Sequence, residues 1–163
     1  MRIQLVAVGR LKAGPERDLA ERYRARAAAM AKPLGFAGPD LTELPESRRR
    51  RTEERQAEEA AAIAGKAGSA LLAILDEGAP SIGSEDFAAR LAALRDRGRD
   101  AAFVIGGPDG LAPDLKGRAE WPLSFGRLTL PHQLVRVLAL EQIYRAFTII
   151  AGHPYHRTGT GEP

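Results

Sequence analysis

Cysteine is absent from the 163 residues, and long apolar segments are missing as well. The lack of cysteine excludes disulfides, thiolate metal sites and cysteine nucleophiles, and it fits a reducing cytoplasm. No run approaches the roughly 18 consecutive apolar residues of a membrane-spanning helix. The first residues, MRIQLVAVGRLKAG, show no signal-peptide cleavage pattern. We therefore expect a soluble, cytoplasmic protein without a membrane segment.

Two common nucleotide-binding patterns are also missing. Glycines at positions 106, 107 and 110 do not match G-x-G-x-x-G, and nothing resembles G-x-x-x-x-G-K-[ST]. A dinucleotide-binding or P-loop enzyme is therefore disfavoured. His153 and His156 have no carboxylate or cysteine close by in the sequence, and Pro154 interrupts helical spacing between them. We expect no metal site.

The charge is nearly balanced. The chain has 24 Lys and Arg residues against 21 Asp and Glu, a formal net charge of +3. Arg, Ala and Gly are all abundant, as a GC-rich coding bias would produce. The pI of about 9.6 makes an anionic partner plausible, but this excess does not indicate nucleic-acid binding by itself. The length suits one domain.

Strand and helix patterns alternate along most of the chain. Residues 70–75 and 101–105 are continuously apolar, which is typical of strands covered on both faces of a parallel sheet. Residues 34–44 contain Gly35, Gly38 and Pro39 and are predicted to form a broken or edge strand. The other predicted strands are 1–8 and 122–128, and the predicted helices begin at Pro15, Arg48, Ser84, Pro113 and Pro131. We expect a single α/β domain over residues 1–157 and a disordered tail over 158–163.

Three loops follow the predicted strands at their carboxyl ends. They are residues 75–78, 106–110 and 126–129. Ligands of open α/β sheets bind at that edge, so these loops are the first candidates for a binding site. The glycines of IGGPDGL, residues 105–111, allow a ligand to approach backbone amides, although the segment could equally be a turn that reverses the chain.

The last predicted helix, residues 131–150, is apolar almost all round. Such a wide apolar surface implies burial on two sides, and a small domain covers only one. We therefore expect a second subunit against the other side. Glu141 and Arg145, at i,i+4 spacing, are interpreted as a salt bridge at the rim rather than as catalytic groups.

Two basic segments remain open to two interpretations. In AGHPYHR, residues 151–157, the tail could dock by its aromatic ring and cap helix carbonyls. Alternatively, it could face RNA, with Arg157 on phosphate, Tyr155 stacking on a base and a histidine accepting a proton.

Residues 48–51 are four arginines at a predicted helix start, where positive charge opposes the helix dipole. Either the acidic run at 53–59 compensates them, or they contact phosphate.

Four segments carry a specific resemblance: LDEG (75–78), FVIGGPDGL (103–111), LSFGRLTLPHQLVRVLALEQIYRAF (123–147) and GHPYHR (152–157). Together with the MRIQLVAVGR start, they resemble the ribosomal RNA large subunit methyltransferase H family, whose members methylate N3 of a pseudouridine in 23S rRNA. The likeness covers essentially the whole chain. LDEGAPSIGSEDFA and FAGPDLTELPE depart from the usual pattern, which puts only the regularity of the second strand in doubt.

The resemblance implies a SPOUT fold, in which a mostly parallel sheet is flanked by helices and the C-terminal chain forms a deep trefoil knot. Composition and periodicity do not predict a knot, since knots are nearly absent from folds. The resemblance further implies a homodimer that binds S-adenosylmethionine in the knot and acts on 23S rRNA within the ribosome. The cofactor-binding residues it implies are Leu75, Gly106, Phe125, Gly126, Arg127, Leu128, Thr129 and Leu130.

The catalytic candidates are His153, Tyr155, His156 and Arg157. A histidine among them could remove the N3 proton, or a cationic group could stabilise the developing anion. Because +3 is a modest charge for holding naked rRNA, we expect the assembled ribosome to be the substrate. Two alternatives stay open: a non-enzymatic ribosome-binding or assembly factor that retains the fold, and another nucleotide-binding α/β enzyme.

Overall fold

The computed structural model describes residues 1–155. The strands are β1 (Arg2–Val8), β2 (Ala37–Leu44), β3 (Leu71–Leu75), β4 (Ala101–Ile105) and β5 (Trp121–Leu123). The helices are α1 (Pro15–Ala31), α2 (Thr52–Ala67), α3 (Ser84–Asp96), α4 (Pro113–Gly117) and α5 (His132–Ile150), and a short 3₁₀ turn (Lys32–Leu34) follows α1. The strand order is β2-β1-β4-β3-β5, and every neighbouring pair is parallel. The predicted α/β class with a parallel sheet is confirmed.

The sheet is covered on both faces, as its continuous apolar strands predict. On one face, side chains such as Phe103 of β4 pack against α1, α3 and α5. On the other face, Val104 belongs to a cluster that includes Ile63 of α2 and Leu115 of α4. Every residue of β3 and β4 is buried. Because all strands are parallel, their carboxyl ends meet along one edge of the sheet, and the loops that leave that edge are brought together.

Several predicted boundaries are wrong, for local reasons. The helix expected from Arg48 begins at Thr52, with Glu53 and Glu54 in its first turn, so residues 48–51 precede the positive end of its dipole. The strand expected over 122–128 ends at Leu123, because the chain beyond it turns at Ser124 and Gly126. The helix expected from Ser84 does begin there, with Gly83 at the cap position, and the Ser84 hydroxyl donates to Gln142 Oε1 at 2.9 Å.

The edge position predicted for residues 34–44 is confirmed. The strand β2 lies at one edge of the sheet, where β1 is its one partner among the strands of residues 1–155, and its register shifts between Arg2 and Gln4 of that partner. Proline is tolerated at such an edge because its missing N–H is not needed by a further strand. The 3₁₀ turn takes up Leu34, so the strand itself starts at Ala37.

The helix α5 is buried on more than one side, as predicted. However, α1 and α3 of the same chain, together with the sheet, supply much of the cover. The wide apolar surface therefore does not by itself require a second subunit, and the homodimer stays a prediction. Leu134 of α5 is 43% exposed. Across residues 1–155, no helix is both long and apolar enough to cross a membrane.

Candidate binding site at the carboxyl edge of the sheet

A cavity of about 380 Å³ opens at the carboxyl edge of the sheet, beside β3, β4 and β5. Its walls come from the loops after these strands and from the first turn of α5. Apolar side chains include Leu75, Ile105, Leu123 and Phe125, and the polar side chains in the wall are those of Asp76, Glu77, Lys116, Ser124, Thr129 and His132. The three loops predicted from the sequence therefore meet at one site.

The glycines at 106 and 107 permit close packing around this cavity. A Cβ on Gly106 would lie 2.9 Å from Leu111 Cγ, and one on Gly107 would lie 2.9 Å from Val8 Cγ1. Both distances are shorter than a carbon contact allows, so a side chain at either position would displace the wall. The same segment also turns the chain, since the Gly110 N–H donates to the Gly107 carbonyl at 3.0 Å. The turn that the sequence suggested is therefore present, and the approach of a ligand to these amides stays a prediction.

A carboxylate and an ammonium group meet at the wall of the cavity. Asp76, which directly follows β3, forms an ion pair with Lys116 of α4. The hydrogen bond from Lys116 lowers the pKa of Asp76, and the backbone N–H of Gly78 adds to the shift. The carboxylate therefore stays ionised to lower pH than an ordinary aspartate, and it is available as a hydrogen-bond acceptor.

Replacing Lys116 with methionine should raise the pKa of Asp76 toward its ordinary value. In the native chain, Asp76 has a depressed pKa, so its contribution to stability is present above the unfolded-state pKa and is lost as pH falls through the folded-state pKa. Without Lys116, this loss should begin at higher pH. An NMR titration of the Asp76 carboxyl carbon in both proteins measures the change. An unchanged midpoint would show that Lys116 does not stabilise the carboxylate.

The loop between β5 and α5 is held against the loop after β3. The Thr129 hydroxyl donates to Glu77 Oε2 at 2.6 Å, and the Ser124 N–H donates to the Pro80 carbonyl at 3.0 Å. Ser124 also closes its own turn, because its hydroxyl donates to the Gly126 carbonyl at 2.6 Å. These contacts fix two walls of the cavity relative to each other.

A fully buried arginine anchors the first turn of α5 beside the cavity. Arg136 pairs with Glu43 Oε1 at 2.7 Å and donates to the carbonyls of Val8 at 2.7 Å and Gly9 at 2.9 Å. Burial lowers the pKa of Arg136, and the nearby Glu43 opposes that shift. The helix that carries His132 is thus fixed to the ends of β1 and β2.

Most of the predicted cofactor-binding residues line the cavity, namely Leu75, Gly106, Phe125, Gly126, Leu128, Thr129 and Leu130. Arg127 does not, and it is exposed. His132 and Lys116 also lie in the wall, and neither was predicted from the sequence. His132 directly follows Pro131 at the start of α5, so its position after a strand-end loop was the available signal. Lys116 had none, because α4 is short and its placement depends on tertiary packing.

Among the C-terminal candidates, His153 and Tyr155 do not line the cavity of their own chain. Tyr155 packs against Tyr144, with ring centroids 4.8 Å apart, and Arg145 lies 5.2 Å from its ring centroid. Along α5, Tyr144 lies about 13 Å from Val135, which lines the cavity. The tail up to Tyr155 therefore docks by its aromatic ring, as one of the two interpretations predicted. His156 and Arg157 lie outside the described residues.

The environment of Tyr155 keeps its hydroxyl protonated. Burial, followed by a hydrogen bond with Tyr23, raises the pKa of Tyr155 to about 12. The hydroxyl donates to Glu141 Oε1 at 3.3 Å, and the same carboxylate pairs with Arg145 at 2.6 Å. The predicted Glu141–Arg145 salt bridge is confirmed. His153 is exposed, and its Nδ1 accepts from the Tyr155 N–H at 3.2 Å. Within the described part of the chain, no three His, Asp or Glu side chains converge as a metal site would require.

The chain is similar to known methyltransferases over its whole length. A family model described as predicted SPOUT methyltransferase matches residues 1–156. The ribosomal RNA large subunit methyltransferase H of Methylobacterium radiotolerans is 58% identical over 164 residues, which cover 99% of this chain and 100% of that protein. The protein of the same name from Methylobacterium sp. (strain 4-46) is 58% identical over 160 residues, covering 96% and 98% of the two chains.

Among solved structures, a probable methylase family protein from Haemophilus influenzae Rd KW20 superposes with a TM-score of 0.54 at 15% sequence identity. The match covers 92% of this chain and 66% of that one. At this level of identity the likeness concerns the fold alone. It agrees with the parallel sheet flanked by helices.

Proposed function

The chain belongs to the SPOUT methyltransferase family, and we propose that it methylates N3 of a pseudouridine in 23S rRNA with S-adenosylmethionine as the methyl donor. The relatives named ribosomal RNA large subunit methyltransferase H cover 99% and 96% of this chain and support rRNA as the substrate. The single observation that carries the proposal is the cavity at the carboxyl edge, where the loops implied by the resemblance form the walls.

The residues in the wall fit S-adenosylmethionine. A volume of about 380 Å³ falls within the roughly 300–1,000 Å³ of small-molecule sites. The apolar side chains, Leu75 and Phe125 among them, suit the purine ring and the methylene groups. Asp76 and Glu77 supply carboxylate acceptors for hydroxyl and amino groups and favour a ligand that carries a sulfonium charge. We propose that Leu75, Gly106, Phe125, Gly126, Leu128, Thr129 and Leu130 hold it.

When bound, S-adenosylmethionine supplies an electrophilic methyl group on its sulfonium sulfur. The protein must then hold the nucleoside in line with that methyl group, and such positioning contributes several kcal/mol to catalysis. The packed glycine loop and the loop anchored by Thr129 provide fixed walls for this alignment.

The N3 proton needs an acceptor. His132 lies in the cavity wall of the same chain, and imidazole is a common general base in enzymes. His153 and His156 remain candidates, together with Tyr155 and Arg157, if the tail of one subunit completes the cavity of its partner. The distance between the docked tail and its own cavity supports this arrangement across a dimer.

The homodimer, the trefoil knot and the cytoplasmic location are parts of the same proposal. Apolar side chains remain exposed near the cavity: Leu128 is 78% exposed, and Leu134 is 43% exposed. A second subunit would cover them. The packing of residues 124–129 against the loop after β3 supports a chain path compatible with a knot.

Methyl transfer to three substrates tests the proposal. Labelled S-adenosylmethionine is incubated with the protein and isolated 23S rRNA, 50S subunits or 70S ribosomes. We expect assembled particles to be methylated faster than isolated rRNA. A domain with a net charge of only +3 gains limited affinity from phosphate contacts, so the shape of the assembled particle must contribute to recognition. Equal rates on all three would contradict the ribosome as substrate.

Calorimetric titration separates the alternatives. S-adenosylmethionine should bind, whereas NAD and ATP should not. Absence of S-adenosylmethionine binding, together with ribosome binding, would favour a non-enzymatic assembly factor. Binding of NAD or ATP in its place would favour another class of nucleotide enzyme.

A further inference from the structure

The four arginines at 48–51, called the arginine loop below, lie on the same edge of the sheet as the cavity. They follow the carboxyl end of β2 and precede α2, and all four are exposed. Arg49 and Arg51 approach carboxylates at 3.6 Å and 3.8 Å, with their own side chains 63% and 75% exposed. Such exposed pairs are weak. Across residues 1–155, Arg48 and Arg50 form no ion pair.

Arg55 of α2 connects the arginine loop to the wall of the cavity. Its Nη1 donates to the carbonyls of Arg49 at 3.1 Å and Arg50 at 3.0 Å. Its Nε and Nη2 donate to the two carboxylate oxygens of Asp109 at 2.6 Å and 3.0 Å. Asp109 belongs to the 106–110 loop, whose glycines line the cavity. One guanidinium group therefore touches both loops at once.

Two further contacts strengthen this connection. Gln56 Nε2 donates to the Asp109 carbonyl at 2.7 Å. Glu59, which is buried, accepts from the Ser47 N–H at 2.9 Å, and its Oε2 lies 3.4 Å from where a Cβ on Gly107 would stand. Residues 45–49 and Glu59 form part of the lining of a second cavity. The arginine loop is thus held at a fixed place relative to the methyl-donor site.

The chemistry of the arginine loop favours phosphate. Guanidinium groups present planar paired donors that match phosphate oxygens, and they stay charged at any working pH. Arg55, by contrast, is neutralised by Asp109, so its role is to hold the loop. The hydrogen bond from Arg55 also lowers the pKa of Asp109, which keeps the pair ionised in the neutral range.

We propose that the arginine loop binds RNA phosphates that flank the target nucleoside and that Arg55 is a positioning residue that sets the distance between those phosphates and the cavity. This inference rests on the proposed function, since it takes rRNA as the substrate. It assigns RNA binding to a surface outside the cavity, formed by the segment between β2 and α2.

The first test removes two charges from the loop. Arg48→Gln/Arg50→Gln should raise the KM for ribosomes about tenfold, because charge-assisted phosphate contacts are lost. It should also reduce the slope of log KM against log salt concentration by about one to two. The Kd for S-adenosylmethionine, measured by calorimetry, should stay unchanged. Lys66→Gln/Arg97→Gln removes the same charge from helix ends at the opposite edge of the sheet and should leave KM and the salt slope unchanged.

The second test keeps the charge and changes the geometry. Arg55→Lys retains a positive charge but cannot bridge Asp109 and two carbonyls with a planar fork. It should raise the KM for ribosomes several-fold without reducing the salt slope. A melting curve superimposable on that of the native chain shows that the fold is kept, and Asp109→Asn should give the same KM change if the bridge is responsible.

The outcomes separate the two proposals. If the native chain methylates ribosomes and Arg48→Gln/Arg50→Gln has the native KM and salt slope, the inference is overturned while the proposed function stands. If the native chain transfers no methyl group, the proposed function fails first. If the KM rises but affinity for protein-free 23S rRNA is unchanged, the surface contacts a ribosomal protein, and the assignment to RNA phosphates is wrong.

Discussion

Ending the chain after Gly152 should abolish methyl transfer and leave S-adenosylmethionine binding within a few fold of the native value. The truncation removes His153, Tyr155, His156 and Arg157, which we propose act on the nucleoside. It leaves every residue of the cavity wall in place. Single-turnover methylation of ribosomes measures the first effect, and calorimetric titration measures the second. Methyl transfer at the native rate would show that the tail is not part of the site.

A matched truncation and a mixed dimer sharpen this prediction. Ending the chain after Arg157 removes only residues 158–163 and should leave methyl transfer intact. A full-length chain with Gly106→Val keeps its tail but has a distorted cavity, since a side chain there would meet Leu111. Mixing it with the chain truncated after Gly152 should restore activity if one subunit's tail completes its partner's cavity. No restoration, with mixed dimers demonstrated, would contradict that arrangement.

Replacing Arg136 with methionine should lower the free energy of unfolding by about 3–5 kcal/mol. Arg136 is fully buried, and its removal leaves the Glu43 carboxylate and the carbonyls of Val8 and Gly9 without this donor. A domain of this size is stable by roughly 5–15 kcal/mol, so the loss is a large share of the total. Urea denaturation of both proteins at neutral pH provides the measurement.

The partner of Arg136 provides the control. Glu43 Oε1 also accepts from the Leu11 N–H at 2.8 Å, and glutamine can retain that contact without a charge. Arg136→Met/Glu43→Gln should therefore be less destabilised than Arg136→Met alone. A loss of less than about 1 kcal/mol for Arg136→Met would show that the buried pair does not hold α5 against β1 and β2. The start of α5 would then be held by apolar packing alone.

The strands of the central sheet could be predicted because burial leaves a direct mark on the sequence. Residues 71–75 and 101–105 are apolar at every position, and both faces of the sheet are covered. Because the carboxyl ends of parallel strands lie at the same edge of a sheet, the loops that follow these strands could also be predicted to lie together. The residues at which helices and strands begin and end were harder to predict. Residues 48–51 were placed inside a helix because charge patterns do not show where the first helical hydrogen bond forms.

The cavity was predicted as far as backbone loops define it. Leu75 ends β3, Gly106 directly follows β4, and Thr129 lies in the loop after β5, so their place in the chain identified them. His132 could have been found from its place directly after Pro131, whereas Lys116 depends on how the short helix α4 packs, which no local pattern records. The connection from Arg55 to Asp109 joins residues 54 positions apart in the chain. The arginines are evident in the sequence, but the contact with the Asp109 carboxylate that fixes their position is not.

Mass spectrometry of rRNA methylated in vitro tests the central claim most directly. Ribosomes that lack the modification are incubated with the native chain and methyl-labelled S-adenosylmethionine, and the 23S rRNA is digested to nucleosides. We predict that the label appears in one nucleoside, a pseudouridine methylated at N3. Label in another nucleoside, or none in rRNA while the cavity binds the cofactor, would contradict the account.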